Sequence, residues 1–260
     1  MMMSFFLHDS LDDGGFEQIR TPSRVSPASA PREEMRILHE KLKIPQTGEI
    51  VTRPRLDDLL DKSLSQFCGT LVSGRAGTGK TVLAADFARR RGGAGWYTIE
   101  SSDSDWAAFS AHFAACVREA AGKWSEQPMV TGGTDSEIAQ FLVNTFAPVA
   151  AKGKKQFLIV LDDLHKIFDA EWFGRFFHLL LYSLPENCRL LLLCRSKPPA
   201  PLWRLRSKQV LNVIDEKLLA FSPEETAKLF KGKGLSPDEV SKAHADSFGR
   251  ASKLADHLTQ

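Results

Sequence analysis

A parallel, helix-covered α/β sheet is what this sequence predicts, and three observations carry the prediction. Five short apolar runs, 67–73, 95–99, 156–161, 189–194 and 209–214, alternate with helical patterns at 80–91, 105–121, 135–151 and 171–184. A glycine-rich octet, Gly74-Arg75-Ala76-Gly77-Thr78-Gly79-Lys80-Thr81, joins the first run to the first of those helices. The third run ends in two acids, Asp162 and Asp163. Strands that are apolar nearly throughout, and separated by helices, belong to a parallel sheet buried on both faces.

Taken in order, the first 33 residues are rich in Ser, Pro, Asp and Gly, with Thr21-Pro22-Ser23 and Ser26-Pro27 at their heart. They offer too little apolar surface to order themselves, which predicts a disordered tail or linker. Order is expected to begin with a short helix over 33–41. Val51-Thr52-Arg53-Pro54-Arg55-Leu56 reads as an extended entry into a helix starting near Leu56. In 82–88, Leu83 and Phe87 share one helical face. Arg89-Arg90-Arg91 before Gly92-Gly93 marks that helix's end, with cations on the negative pole of the dipole and glycine at the cap. Trp172, Phe173, Phe176, Phe177, Leu180 and Leu184 recur at spacings of three and four, as a buried helix face requires. After Asp215 the sheet pattern stops. Ser222-Pro223-Glu224-Glu225 and Ser236-Pro237-Asp238-Glu239 repeat one helix-start signal: a Ser N-cap, Pro at the first helical position, and Glu three residues past the cap. The expected organisation is a tail over 1–33, an α/β domain over 34–215 and a module of about three helices over 216–260.

The octet reads G-x-x-x-x-G-K-T in the strand–loop–helix context that gives the pattern its meaning. Glycines let backbone N–H groups turn inward around phosphate oxygens, and the helix N-terminus adds partial positive charge. Lys80 would reach the β- and γ-phosphates of a nucleoside triphosphate, and the Thr81 hydroxyl would ligate Mg²⁺. Asp162, at the carboxyl edge of a central strand, suits the acid that holds the metal, largely through water. Asp163 is then positioned to orient or deprotonate an attacking water. Arg195 ends the run 189–194 at the same edge. It either faces the phosphates and reads the terminal one, or is a surface arginine that closes a strand. His165 reads as a packing or capping residue, and Glu100 as a cap or an edge carboxylate.

Composition narrows the classes without choosing among them. At 260 residues, with 43% hydrophobic and 25% charged residues, the chain fits one substantial α/β core plus an appendage. A net charge of +2 is too near balance to argue for nucleic acid, membrane or acidic partners. Cys68, Cys116, Cys188 and Cys194 form no C-x-x-C pair and read as reduced cysteines. Leu190 to Leu193 is closed by Arg195, far short of a membrane span. Met1 to Leu7 lacks a basic n-region and runs into Asp9, so no signal peptide is expected. The expected location is cytoplasmic.

Several segments together resemble the STAND class of P-loop ATPases, and most closely the nucleotide-binding module of large LuxR-type transcriptional activators of the maltose-regulator kind. They are Thr52-Arg53-Pro54-Arg55-Leu56, Gly95-Trp96-Tyr97-Thr98-Ile99-Glu100, Leu161-Asp162-Asp163-Leu164-His165, Leu193-Cys194-Arg195 and Leu219-Ala220-Phe221-Ser222-Pro223-Glu224-Glu225. The resemblance covers about 50–258. It implies an additional-strand P-loop NTPase fold with sheet order 5-1-4-3-2 and a small C-terminal helical module. It also implies a switch: ADP holds a closed monomer, and ATP with an inducer opens it for self-association. Val51 and Arg53 would lie against adenine and ribose, and Arg195 would match the family's arginine after the fourth strand. The family's Gly-x-Pro-like element would fall at Gly249-Arg250-Ala251, where the proline is missing. Winged-helix, sensor-repeat and helix-turn-helix pieces of full-length relatives lie outside this sequence, so DNA contact is expected only through such absent domains.

The expectation is therefore an ATP- and ADP-binding, Mg²⁺-dependent, slowly hydrolysing switch module. Two rivals stay open: a P-loop kinase acting on a small molecule, and a module that retains ADP and hydrolyses nothing. The stretch 122–136 has one lysine and no arginine, which suits a loop better than a kinase lid.

Overall fold

In the computed structural model, residues 37–48, 51–122 and 133–258 are described, all within one unit spanning Met35–Gln260. The expected tail, the start of the helix at Glu33 and most of the stretch 122–136 lie outside the described residues. Helix α1 (Pro54–Gln66) leads into β1 (Gly69–Ser73), and α2 (Lys80–Arg91) follows the glycine octet. Then come β2 (Ala94–Thr98), α3 (Trp106–Ala121), α4 (Asp135–Ala150) and β3 (Phe157–Asp162). The α/β succession closes with α5 (Phe173–Ser183), β4 (Cys188–Cys194), α6 (Ala200–Ser207) and β5 (Leu211–Ile214).

All five strands are parallel, in the order β2-β3-β4-β1-β5. Read from the other edge this is 5-1-4-3-2, the order that the resemblance implies. Alternation along the strands shows why both faces need helices. Phe157, Ile159 and Leu161 of β3 join one apolar core, and Leu158 and Val160 join the other. In β4, Leu190 and Leu192 point one way and Leu191 and Leu193 the other. Helices α3, α4, α5 and α6 cover the first face, and α1 and α2 the second. The aromatic stripe of α5 is core: Phe176 meets Phe109 and Phe113 edge-on, and Trp172 lies 4.4 Å from Phe109 by ring centroids. No helix among the described residues is long and apolar enough to cross a membrane.

Strand β2 lies so close to α3 that a Cβ at Gly95 would stand 2.4 Å from the Cys116 carbonyl oxygen. The obstacle is backbone and cannot swing aside. Gly95→Ala is expected to destabilise the fold by about 3 kcal/mol, read as a lower urea midpoint at unchanged slope.

After β5 come α7 (Glu216–Leu219), α8 (Pro223–Phe230), α9 (Pro237–Ser247) and α10 (Ala251–Asp256). The sequence pattern predicts about three helices here; the short α7, capped by Asp215, adds a fourth. Phe230, Ala243 and Leu254 make a small core of their own. Both predicted capping boxes form, with Glu225 N–H on Ser222 Oγ at 3.1 Å and Glu239 N–H on Ser236 Oγ at 3.3 Å.

One buried joint ties α8 to the entrance of α1. The Arg53 guanidinium donates to Glu225 Oε2 at 2.9 and 3.0 Å and to the Leu219 and Ala220 carbonyls at 2.9 and 2.8 Å. It also lies 3.9 Å over the Phe221 ring. Burial alone would raise the Glu225 pKa, but hydrogen bonds from Arg55, Arg53 and the Ser222 N–H outweigh it and hold the carboxyl below its ordinary value of 4.5. A depressed carboxylate contributes stability above its unfolded pKa and loses it as pH falls through the folded one. Acid unfolding is thus expected to start below about pH 4.5 in the native chain. Glu225→Gln should be less stable at neutral pH and flatter across that range, as thermal melts at stepped pH will show.

Candidate functional site

Parallel order places the carboxyl ends of β1, β3 and β4 side by side, and four sequence-predicted groups meet there. The octet leaves β1 with Gly74 N–H on the Cys194 carbonyl at 3.2 Å. Gly77 and Gly79 take φ of +78° and +85°, backbone that only glycine adopts readily, and these turns curl the loop over the start of α2. Inside the curl, Lys80 Nζ donates to the carbonyls of Gly74 at 2.6 Å and Arg75 at 3.0 Å, with Thr78 Oγ1 at 3.3 Å. Burial lowers the Lys80 pKa, and the positive charge of Arg195 lowers it further. An ammonium held this way gains from an incoming polyanion.

Thr81 Oγ1 donates to Asp162 Oδ2 at 3.0 Å, although 81 residues separate them. The other Asp162 oxygen accepts the Asp163 N–H at 2.8 Å. Burial raises the Asp162 pKa, as does the Asp163 carboxylate beside it. A hydroxyl and a carboxylate at the mouth of a phosphate loop are hard oxygen donors, which fit Mg²⁺ and would keep several of its waters. The residues present therefore fit the group that the motif implies.

Asp163 and Arg195 are brought together in a way that the sequence reading did not foresee. Arg195 Nε donates to Asp163 Oδ1 at 2.9 Å and its terminal nitrogen to Oδ2 at 3.0 Å, a two-pronged ion pair. Lys166 Nζ stands 3.3 Å from the same carboxylate. Asp163 itself is left-handed, at φ +56°. The expected water-orienting acid and the expected phosphate-reading arginine thus hold each other. His165 Nδ1 is 3.9 Å from Asp163, and burial lowers its pKa. Glu100 pairs with Lys41 at 3.0 Å and caps the short turn over Ser101–Ser104, the structural role of the two offered for it.

Beside the loop opens a cavity of about 530 Å³ between the octet and the last helices, bounded by Arg75, Thr78, Leu219, Ala220, Phe248 and Arg250 among others. Arg75 is bound to Glu216, with its own N–H on Oε2 at 3.0 Å and its guanidinium on Oε1 at 2.7 Å. The N-terminus of α10 rests on the octet: Ser252 N–H donates to the Gly77 carbonyl at 2.9 Å, and the Arg250 guanidinium donates to the Ala76 carbonyl. Arg250 Nε is buried without a hydrogen-bond partner. Val51 is half-buried in coil, and neither it nor Arg53 borders the cavity. Arg53, expected against adenine and ribose, has its guanidinium engaged by Glu225, Leu219 and Ala220. These four bonds use Nε and one terminal nitrogen, and reach Glu225 of α8 and the end of α7. Arg250 is the residue that sequence reasoning missed. Its one signal in the sequence is its place in Gly249-Arg250-Ala251.

Residues 52–193 match the family model described as an AAA ATPase domain. Among curated proteins, the chain is similar to the HTH-type transcriptional regulator MalT of Vibrio cholerae, 32% identical over 184 residues, which are 69% of this chain and 20% of that protein. The MalT of Klebsiella pneumoniae is 28% identical over 194 residues, 71% of this chain and 21% of its own. The chain thus spans about one fifth of the length of those regulators. Among solved structures, a Walker-type ATPase of Pyrococcus abyssi aligns with a TM-score of 0.48 at 13% identity, covering 79% of this chain and 65% of that one. The family match takes in the whole glycine octet and Asp162 and Asp163 at the end of β3, over more than half of the sequence, and the chain belongs to the AAA ATPase domain family.

Proposed function

We propose that this chain is a nucleotide-controlled switch that binds ATP and ADP with Mg²⁺ and hydrolyses ATP slowly, as the signal-transducing part of a LuxR-type regulator. The observation that carries the reading is the Thr81–Asp162 hydrogen bond at the mouth of a loop whose lysine is already turned inward. Loop N–H groups and Lys80 hold the phosphates, with the Arg250 guanidinium as a further cation beside them. Thr81 and Asp162 would hold Mg²⁺, which would supply charge neutralisation as negative charge develops on the transferred group.

The Asp163–Arg195 pair gives the switch its logic. A γ-phosphate competes for Arg195, and ADP cannot. When Arg195 turns to the terminal phosphate, Asp163 is released to orient a water. Driving a closed state from 99:1 to 1:99 requires about 5.5 kcal/mol of differential binding. A charge-assisted contact made with ATP alone supplies part of that. The chain then divides near Asp215 into a nucleotide-binding domain and a helical module, which lifts in the ATP state and permits self-association. The relatives are HTH-type transcriptional regulators. For this chain, DNA contact is proposed only through elements outside the span compared.

The same ion pair favours a second reading, a module that retains ADP and turns nothing over, because a carboxylate clamped by Arg195 and Lys166 is a poor base. Denaturing the purified chain and identifying the released nucleotide by mass, beside an assay for phosphate release, tests both. Released ADP with measurable turnover supports the switch, and released ADP without turnover supports the retaining module. A guanine nucleotide contradicts both.

A further inference from the structure

Phe248 sits where neither folding nor solubility explains it. It caps α9 at φ +52° and ψ +32°, a left-handed position that proteins normally give to glycine or asparagine. The residue is 83% exposed, the most of any large hydrophobic residue among those described. The next residue is held in place, because the Phe221 N–H donates to the Gly249 carbonyl at 2.8 Å. A bulky residue in a conformation that strains it, displaying its ring to water, marks a site whose use lies outside the folded chain itself.

The ring has one notable neighbour. It borders the cavity of about 530 Å³ that runs from Arg75 and Thr78 of the octet to Leu219 and Ala220, and it is the one aromatic side chain among the residues bounding it. That volume is typical of a small-molecule site. Its lining joins the cations Arg75, Arg250 and Lys253 to the apolar side chains of Leu219, Ala220 and Phe248. Such a cavity suits a ligand with an anionic end and a flat, apolar end. Resting on the nucleotide reading above, we propose that Phe248 stacks on the base of a bound purine nucleotide. Base–aromatic stacking tolerates any base because each has a π-face. The residue is thus a platform rather than a reader of hydrogen bonds, and Leu219 and Ala220 line the same cavity.

The test is equilibrium binding of ADP and of inorganic tripolyphosphate, a ligand without a base, to the full chain and to Phe248→Ala, Phe248→Gly and Phe248→Trp. The first two variants should bind ADP about 10- to 100-fold more weakly, the value of one stacked base, and tripolyphosphate as the native chain does. Phe248→Trp should keep ADP affinity. Phe248→Gly suits the left-handed backbone and should melt no lower than the native chain, which separates lost stacking from lost folding. If Phe248→Gly binds ADP as tightly as the native chain, the stacking role is wrong and the nucleotide site stands. If the native chain binds neither ADP nor tripolyphosphate, the nucleotide reading itself falls, and this inference with it.

Discussion

Replacing Lys80 with alanine should weaken ADP and ATP binding by about 100-fold, roughly the 3 kcal/mol that a buried charge-assisted contact contributes. The geometry makes the loss specific. The ammonium is buried and already bonded to the Gly74 and Arg75 carbonyls, so the loop is held around the place where phosphates would sit. Without it, the loop N–H groups remain but the cation does not, and two carbonyls lose a donor. The native fold should survive, because the helices on both sheet faces pack without Lys80. Titration with a fluorescent ADP, beside a thermal melt, separates the two effects. Unchanged affinity at unchanged stability would remove the loop from the binding site.

The second large effect is expected at the Asp163–Arg195 pair. Asp163→Asn should lower ATP turnover about 100-fold, the usual contribution of a positioned base, while ADP affinity changes little. Arg195→Ala should act differently. It frees Asp163 from its bidentate partner and removes the group proposed to sense the terminal phosphate, so ATP should lose its advantage over ADP. Phosphate release measured beside the two affinities distinguishes these outcomes. If the native chain turns over no faster than Asp163→Asn, the hydrolysing switch is wrong and the ADP-retaining reading holds.

Legibility in the sequence followed the range of the interactions. The octet, the strand ending in Asp162 and the capping boxes are local patterns, each fixed by a few consecutive residues, and all formed as read. Strand alternation was legible because the runs are apolar nearly throughout. Helix α6 was missed because it offers only Leu202 and Leu205 as buried anchors between two flanking prolines and a basic turn. The engagement of Asp163 by Arg195 needed the fact that β3 and β4 are neighbours, which single strands do not announce. Gly95 could be seen as part of a recurring segment, but its reason is the Cys116 carbonyl across an interface that no local pattern encodes. Arg53 reads in sequence only as part of an extended entry into a helix, and nothing nearby shows that Glu225 will meet it.

That last contact bears on how the molecule assembles. Arg53 and Glu225 are 172 positions apart, so the loop between them includes every strand of the sheet. Closing so long a loop carries an entropic cost that is recovered only when the intervening structure is in place. The clasp should therefore form after the folding barrier, not before it. Breaking it with Arg53→Ala should accelerate unfolding in stopped-flow denaturant jumps and leave refolding almost unchanged. Its contribution is then to how long the assembled chain lasts, rather than to how quickly it is made.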